Sequence, residues 1–135
     1  MKKIIVFFTI GLVFLLAACT QTYKNNYPIP TFIEVEKDVS FGGACSDFLE
    51  YHPIQIEDEA DIQAFMAELN SWEYEEERGL ALDLCGFSFL ISFDDVVIQV
   101  IGITYFYVEG DPMLYKFVKG NTDFLNLLNW QLVNE

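Results

Sequence analysis

Positive charge is scarce in this sequence. Lys and Arg number 7 against 21 Asp and Glu, giving the 135 residues a formal charge of −14. Affinity for nucleic acid comes chiefly from cations that displace counterions from phosphates, so that partner class is excluded. Histidine occurs once, at His52, and cysteine three times, at Cys19, Cys45 and Cys85. Such a set lacks the close ligand pairs of a structural zinc site, and neither metal nor cofactor is expected. His52 precedes Pro53 in an extended context, and no serine lies in a nucleophile-elbow pattern. No nucleophile, base and stabiliser converge at a recognisable spacing, so the expectation is a protein that is not an enzyme. Beyond residue 16, no apolar run approaches the roughly 20 residues that a spanning helix needs.

The residues that are present speak first at the beginning of the chain. Lys2 and Lys3 precede an apolar run from Ile4 to Leu16, which ends in small residues before Cys19. This is the three-part layout of a secretory signal. Leu16-Ala17-Ala18-Cys19 resembles the lipobox of bacterial lipoproteins. The resemblance implies cleavage after residue 18 and attachment of a diacylglycerol group to the sulfur of Cys19. It also implies a lipid anchor in the cell membrane, facing the extracytoplasmic side; in a Gram-negative cell, Thr20 after the cysteine implies the outer membrane. Loss of Lys2 and Lys3 with the signal leaves five cations against 21 carboxylates, a mature charge of −16.

Residues 19–30 hold two prolines and two asparagines without apolar periodicity, and read as a tether. A single domain is expected over 31–135. Phe32, Ile33, Val35 and Val39 suggest a strand, and Ile54 and Ile56 a second short one. Asp58 is placed to cap a helix over Glu59 to Asn70, whose Ile62, Phe65, Met66 and Leu69 form one apolar stripe. Cys85, Phe87, Phe89, Ile91 and Phe93 then alternate with smaller or polar residues, as in a strand with one covered face. Asp94-Asp95 is placed as a turn before Val96 to Val100, and Gly102 as a bulge before a strand over Ile103 to Val108. A second turn at Glu109 to Pro112 leads to a strand over Met113 to Val118, and Asn121 caps a final helix carrying Phe124, Leu125, Leu128 and Leu132. The predicted fold is α+β, a two-layer domain with an antiparallel sheet of about four to five strands packed with two helices. Its helix, Cys-Gly strand and Gly-containing hairpin are similar to domains of small lipoproteins of unassigned function, a resemblance that brings no functional residues with it.

Three groups of residues are candidates for a role. Cys45 and Cys85 either form a disulfide, worth roughly 4 kcal/mol by chain entropy, or stay separate thiols. Glu73, Glu75, Glu76 and Glu77, with Trp72 and Tyr74, either form a docking patch for a basic envelope protein or cationic ligand, or are a solvated loop. Tyr105 and Tyr107 belong to a strand with rings on both faces, so one set is either covered or an exposed platform. The functional expectation is a non-enzymatic, membrane-tethered binding module of the cell envelope. The alternative is an inhibitor or immunity-type lipoprotein that neutralises an extracytoplasmic enzyme or toxin.

Overall fold

The computed structural model describes residues 21–41, 47–78 and 86–133. The lipobox, Cys19, Cys45 and Cys85 lie outside them. The described elements are β1 (Tyr23–Lys24), β2 (Ile33–Phe41), β3 (Asp47–Glu50), β4 (Ile54–Ile56), α1 (Glu59–Asn70), β5 (Glu73–Glu77), β6 (Gly86–Phe93), β7 (Val96–Ile101), β8 (Tyr105–Val108), β9 (Leu114–Lys119) and α2 (Asp123–Asn126). All the strands join one antiparallel sheet in the order β1-β5-β9-β8-β7-β6-β2-β3, with β4 pairing the first half of β2. Nine strands replace the four to five expected, and α2 is only four residues long, so the domain is predominantly β and not the balanced two-layer α+β domain predicted.

Three strands account for much of the excess, and none carries an alternating apolar pattern. β1 is two residues long and lies in the segment read as a tether. Its Tyr23 and Lys24 pair with Tyr74 and Glu73, while the Asn25 side-chain amide donates to the Leu69 carbonyl. Asn70 accepts from the Tyr27 N–H and donates to the Tyr27 carbonyl, so the folded body starts near residue 23 and not at 31. β3 is exposed at all four positions. β5 is the acidic run itself, made a strand by pairing with β9.

The β6 to β9 meander forms because its turns suit its strands. Asp94, with φ of +48°, opens the two-residue connection between β6 and β7, in a conformation that Asp tolerates better than most residues. Gly102 is not a bulge: with φ of +61° it starts a hairpin turn, so β8 begins at Tyr105 and Ile103 is 68% exposed.

The pleat gives the sheet two unlike faces. Ile33, Val35, Phe89, Ile91, Phe93, Ile98, Val100 and Phe106 are buried on one. Connecting β4 to β5 means crossing from β2's outer side to the far end of the sheet, and α1 makes that crossing over the apolar face, at about 1.5 Å per residue. Asp58 caps α1 as expected, accepting from the N–H groups of Ala60 and Asp61. Ile62, Phe65, Met66 and Leu69 are buried against the sheet, and each such side chain contributes about 1.5–3 kcal/mol relative to exposure. Trp72 is fully buried, its ring 4.7 Å from that of Phe117 and 5.5 Å from that of Phe106, and its indole N–H donates to the Asn121 carbonyl. In the last segment Leu125 is buried, the Asn121 side chain accepts from the Asp123 N–H, and Leu132 forms a β-bridge with Tyr51 where a longer helix was expected.

Candidate functional site

The second face of the sheet brings together four of the candidate residues, Glu75, Glu77, Tyr105 and Tyr107. On β2, Glu34, Glu36 and Asp38 alternate with Ile33, Val35 and Lys37, so the three carboxylates share the face opposite the core. Register carries that face across the sheet. Asp38 lies beside Ser88, Ser88 beside Ile101, Ile101 beside Tyr105, Tyr105 beside Lys116, and Lys116 beside Glu75. One step along the strands, Glu36 lies beside Leu90, Leu90 beside Gln99 and Gln99 beside Tyr107. The Tyr107 hydroxyl donates to Oε1 of Gln99. Leu90, Gln99, Ile101, Tyr105 and Tyr107 are all half-buried, in contrast to the buried side chains between them.

The result is a tyrosine-centred strip with acidic strands on both flanks. From β2 to β5 the sheet takes five steps, roughly 24 Å at about 4.8 Å per strand. The screening length near physiological salt is about 8 Å, so the two flanks act as separate local fields. Within a flank, same-face neighbours are about 6.8 Å apart, inside that length.

The flanks differ in strength. Glu73 is in register with Lys24 on one side and Lys119 on the other, and Glu75 is opposite Lys116, so cations stand against the β5 carboxylates. Beside the β2 carboxylates stand Ser88, Leu90 and Ser92 on β6, and Gln55 and Glu50 on β4 and β3. Gln55 donates a hydrogen bond to Glu34, and no cation is in register with this column.

The proposed docking patch around Glu73 to Glu77 is therefore divided by the pleat. Glu75 and Glu77 are on the open face with Tyr105 and Tyr107. Glu76 is on the other side, where it accepts from the Tyr23 hydroxyl and pairs with Arg78 at 2.9 Å. Tyr74 is half-buried on the core side, 4.8 Å from Phe106, and Trp72 is fully buried and so not available to a partner. The stronger acidic column, Glu34, Glu36 and Asp38, was absent from the sequence candidates. Its signal is the alternation of acidic with apolar residues from 33 to 38.

No family model matches this sequence, no curated protein is significantly similar to it, and no solved structure matches its fold. Geometry and charge are thus the basis for a functional reading. Lys37 belongs to the core face, with its ammonium 4.9 Å from the Tyr51 ring centroid and 5.6 Å from that of Trp130. Desolvation lowers its pKa, and its contacts fasten the last segment to β2. Among the described residues no three His, Cys, Asp or Glu side chains are grouped to hold a metal, and no helix is long and apolar enough to cross a membrane.

Proposed function

We propose that this chain is a membrane-tethered extracytoplasmic lipoprotein whose open sheet face binds a basic protein of the cell envelope, without catalysis. The observation that carries the binding reading is the uncompensated column Glu34, Glu36 and Asp38 bordering the strip of Leu90, Gln99, Tyr105 and Tyr107. A small cationic ligand would meet one local field, whereas a face roughly 24 Å across suits a protein surface with a basic rim and an apolar centre. Tyrosines suit such a centre because each supplies rigid apolar area and a hydroxyl. The anchor rests on the lipobox resemblance ending at Cys19.

The test is capture from solubilised envelope by the immobilised mature domain, followed by association kinetics with the proteins recovered. A basic partner should associate at a rate that falls as salt rises. Replacing Glu34 and Glu36 with Gln and Asp38 with Asn should slow association roughly tenfold and flatten the salt dependence. Replacing Glu75 and Glu77 with Gln should do less, because Lys116 already opposes that flank. Equal rates for all three proteins at every salt concentration would remove the open face from the reading.

A further inference from the structure

On the helix-bearing side of the sheet, β4, α1 and the segment around α2 enclose an open cleft of about 560 Å³. Its apolar lining includes Ile56 and Phe65, and Leu127 stands at its border with 84% of its surface exposed. Its charged lining consists of Glu57, Asp58, Asp61 and Glu68, with no lysine, arginine or histidine among the lining residues. An exposed leucine beside an apolar floor invites burial, and four carboxylates without a cation specify the sign of what covers it. A second copy of this acidic chain or an anionic lipid surface would be repelled.

The stripe along α1 defines the shape of the occupant. Asp61, Ala64 and Glu68 are at i, i+3 and i+7 and are exposed, while Phe65 between them is buried. Ala64 leaves room for another backbone at the middle of the groove. Asp61 and Glu68 stand about 10.5 Å apart along the axis, two turns of a helix, so cations two turns apart on a helix lying along α1 meet both. We infer that this cleft is a docking groove for a cationic amphipathic helix of a partner protein, which would insert its apolar stripe between α1 and Leu127. This mode of recognition places apolar anchors at i, i+3, i+4 and i+7 in a groove and cations against its rim. The groove is on the opposite side of the sheet from Tyr105 and Tyr107, so both surfaces can be occupied at once.

The probe is a synthetic 18-residue peptide of leucine and lysine with the leucines on one helical stripe, compared with a scrambled peptide of the same composition. The striped peptide should gain helical circular dichroism on binding and bind at least tenfold more tightly than the scrambled one. Leu127→Glu changes an exposed position, so the fold persists, and it should weaken the striped peptide at least tenfold. Asp61→Asn with Glu68→Gln should weaken it several-fold and reduce its salt dependence, while Asp58 is left intact because it caps α1. The Glu34, Glu36 and Asp38 substitutions should leave peptide affinity unchanged, which separates this groove from the open face. Equal binding of the two peptides, or an unchanged affinity in Leu127→Glu, would overturn the proposal.

Discussion

At the scale of single residues, Gly120 and Tyr115 show how closely the aromatic core is set. Gly120 has φ of +107°, and a Cβ built there would stand 2.7 Å from Cδ1 and 3.3 Å from Cα of the buried Trp72. Gly110 has φ of +89° but open space around it. Gly120→Ala should therefore cost about 2–3 kcal/mol, combining backbone strain with overpacking, and Gly110→Ala only about 1 kcal/mol. Urea unfolding checks both, and equal losses would dismiss the contact with Trp72. The Tyr115 hydroxyl donates to Asp111 Oδ2 at 2.6 Å, and burial together with that carboxylate raises its pKa. An unfolded tyrosine ionises near pH 10, so the contribution of this group is complete below that value. It is lost as pH rises toward the folded pKa, because the unfolded chain gives up the proton first. Tyr115→Phe should lower stability by about 1 kcal/mol near neutral pH, yet lose less than the parent protein between about pH 8 and about pH 11. Denaturation curves at the two pH values measure that difference.

At the scale of elements, the end of β2 brings together two parts of the chain that are far apart in sequence. Ser40 pairs with Gly86 on one side of β2, and Phe41 with Asp47 on the other. Those anchors are roughly 10 Å apart across β2. Cys85 is next to Gly86 and Cys45 is two residues before Asp47. At up to about 3.5 Å per residue, these short connections can bring the cysteines to the roughly 5.5–6 Å Cα separation of a disulfide. The expected outcome is a bridge between Cys45 and Cys85. Alkylation of the unfolded protein should label two more thiols after reduction, and reduction should cost about 3–4 kcal/mol of stability. Equal labelling with and without reductant would refute it.

At the scale of the whole molecule, the formal charge of −14 is distributed so that carboxylates border two surfaces on opposite sides of one sheet. Two outward surfaces suit a protein that joins two partners, and the proposed lipid anchor would hold them near a membrane. That arrangement depends on the anchor. Two acyl chains give stable attachment where one gives marginal binding, since each buried methylene contributes about 0.8 kcal/mol. Cys19→Ala should shift the protein from the membrane fraction to the soluble fraction, or block its processing, and the parent protein should yield an N-terminal fragment with the mass of a diacylglyceryl cysteine. A parent protein found wholly in the soluble fraction would end the lipoprotein reading.

Several local features were legible in the residues themselves. α1 occupies Glu59–Asn70 as read from its cap and its 3.6-residue apolar stripe, and β6 and β7 follow alternation around Asp94-Asp95. These signals are local, since a helix buries one stripe and a strand one face whatever lies beyond. Strands β1, β3 and β5 had no such signal, because Tyr23–Lys24, Asp47–Glu50 and Glu73–Glu77 lack apolar alternation and become extended by pairing, β1 and β5 with distant partners and β3 with the end of β2 just before it. The same dependence governs the candidate sites. Composition alone determined that the chain is acidic, and spacing alone placed Tyr105 and Tyr107 on one face of a strand. Which carboxylates remain without a cation beside them, which face α1 covers, and which residues border the cleft were decided by strand order and register. Those are properties of contacts between segments far apart in the chain, and no local pattern encodes them.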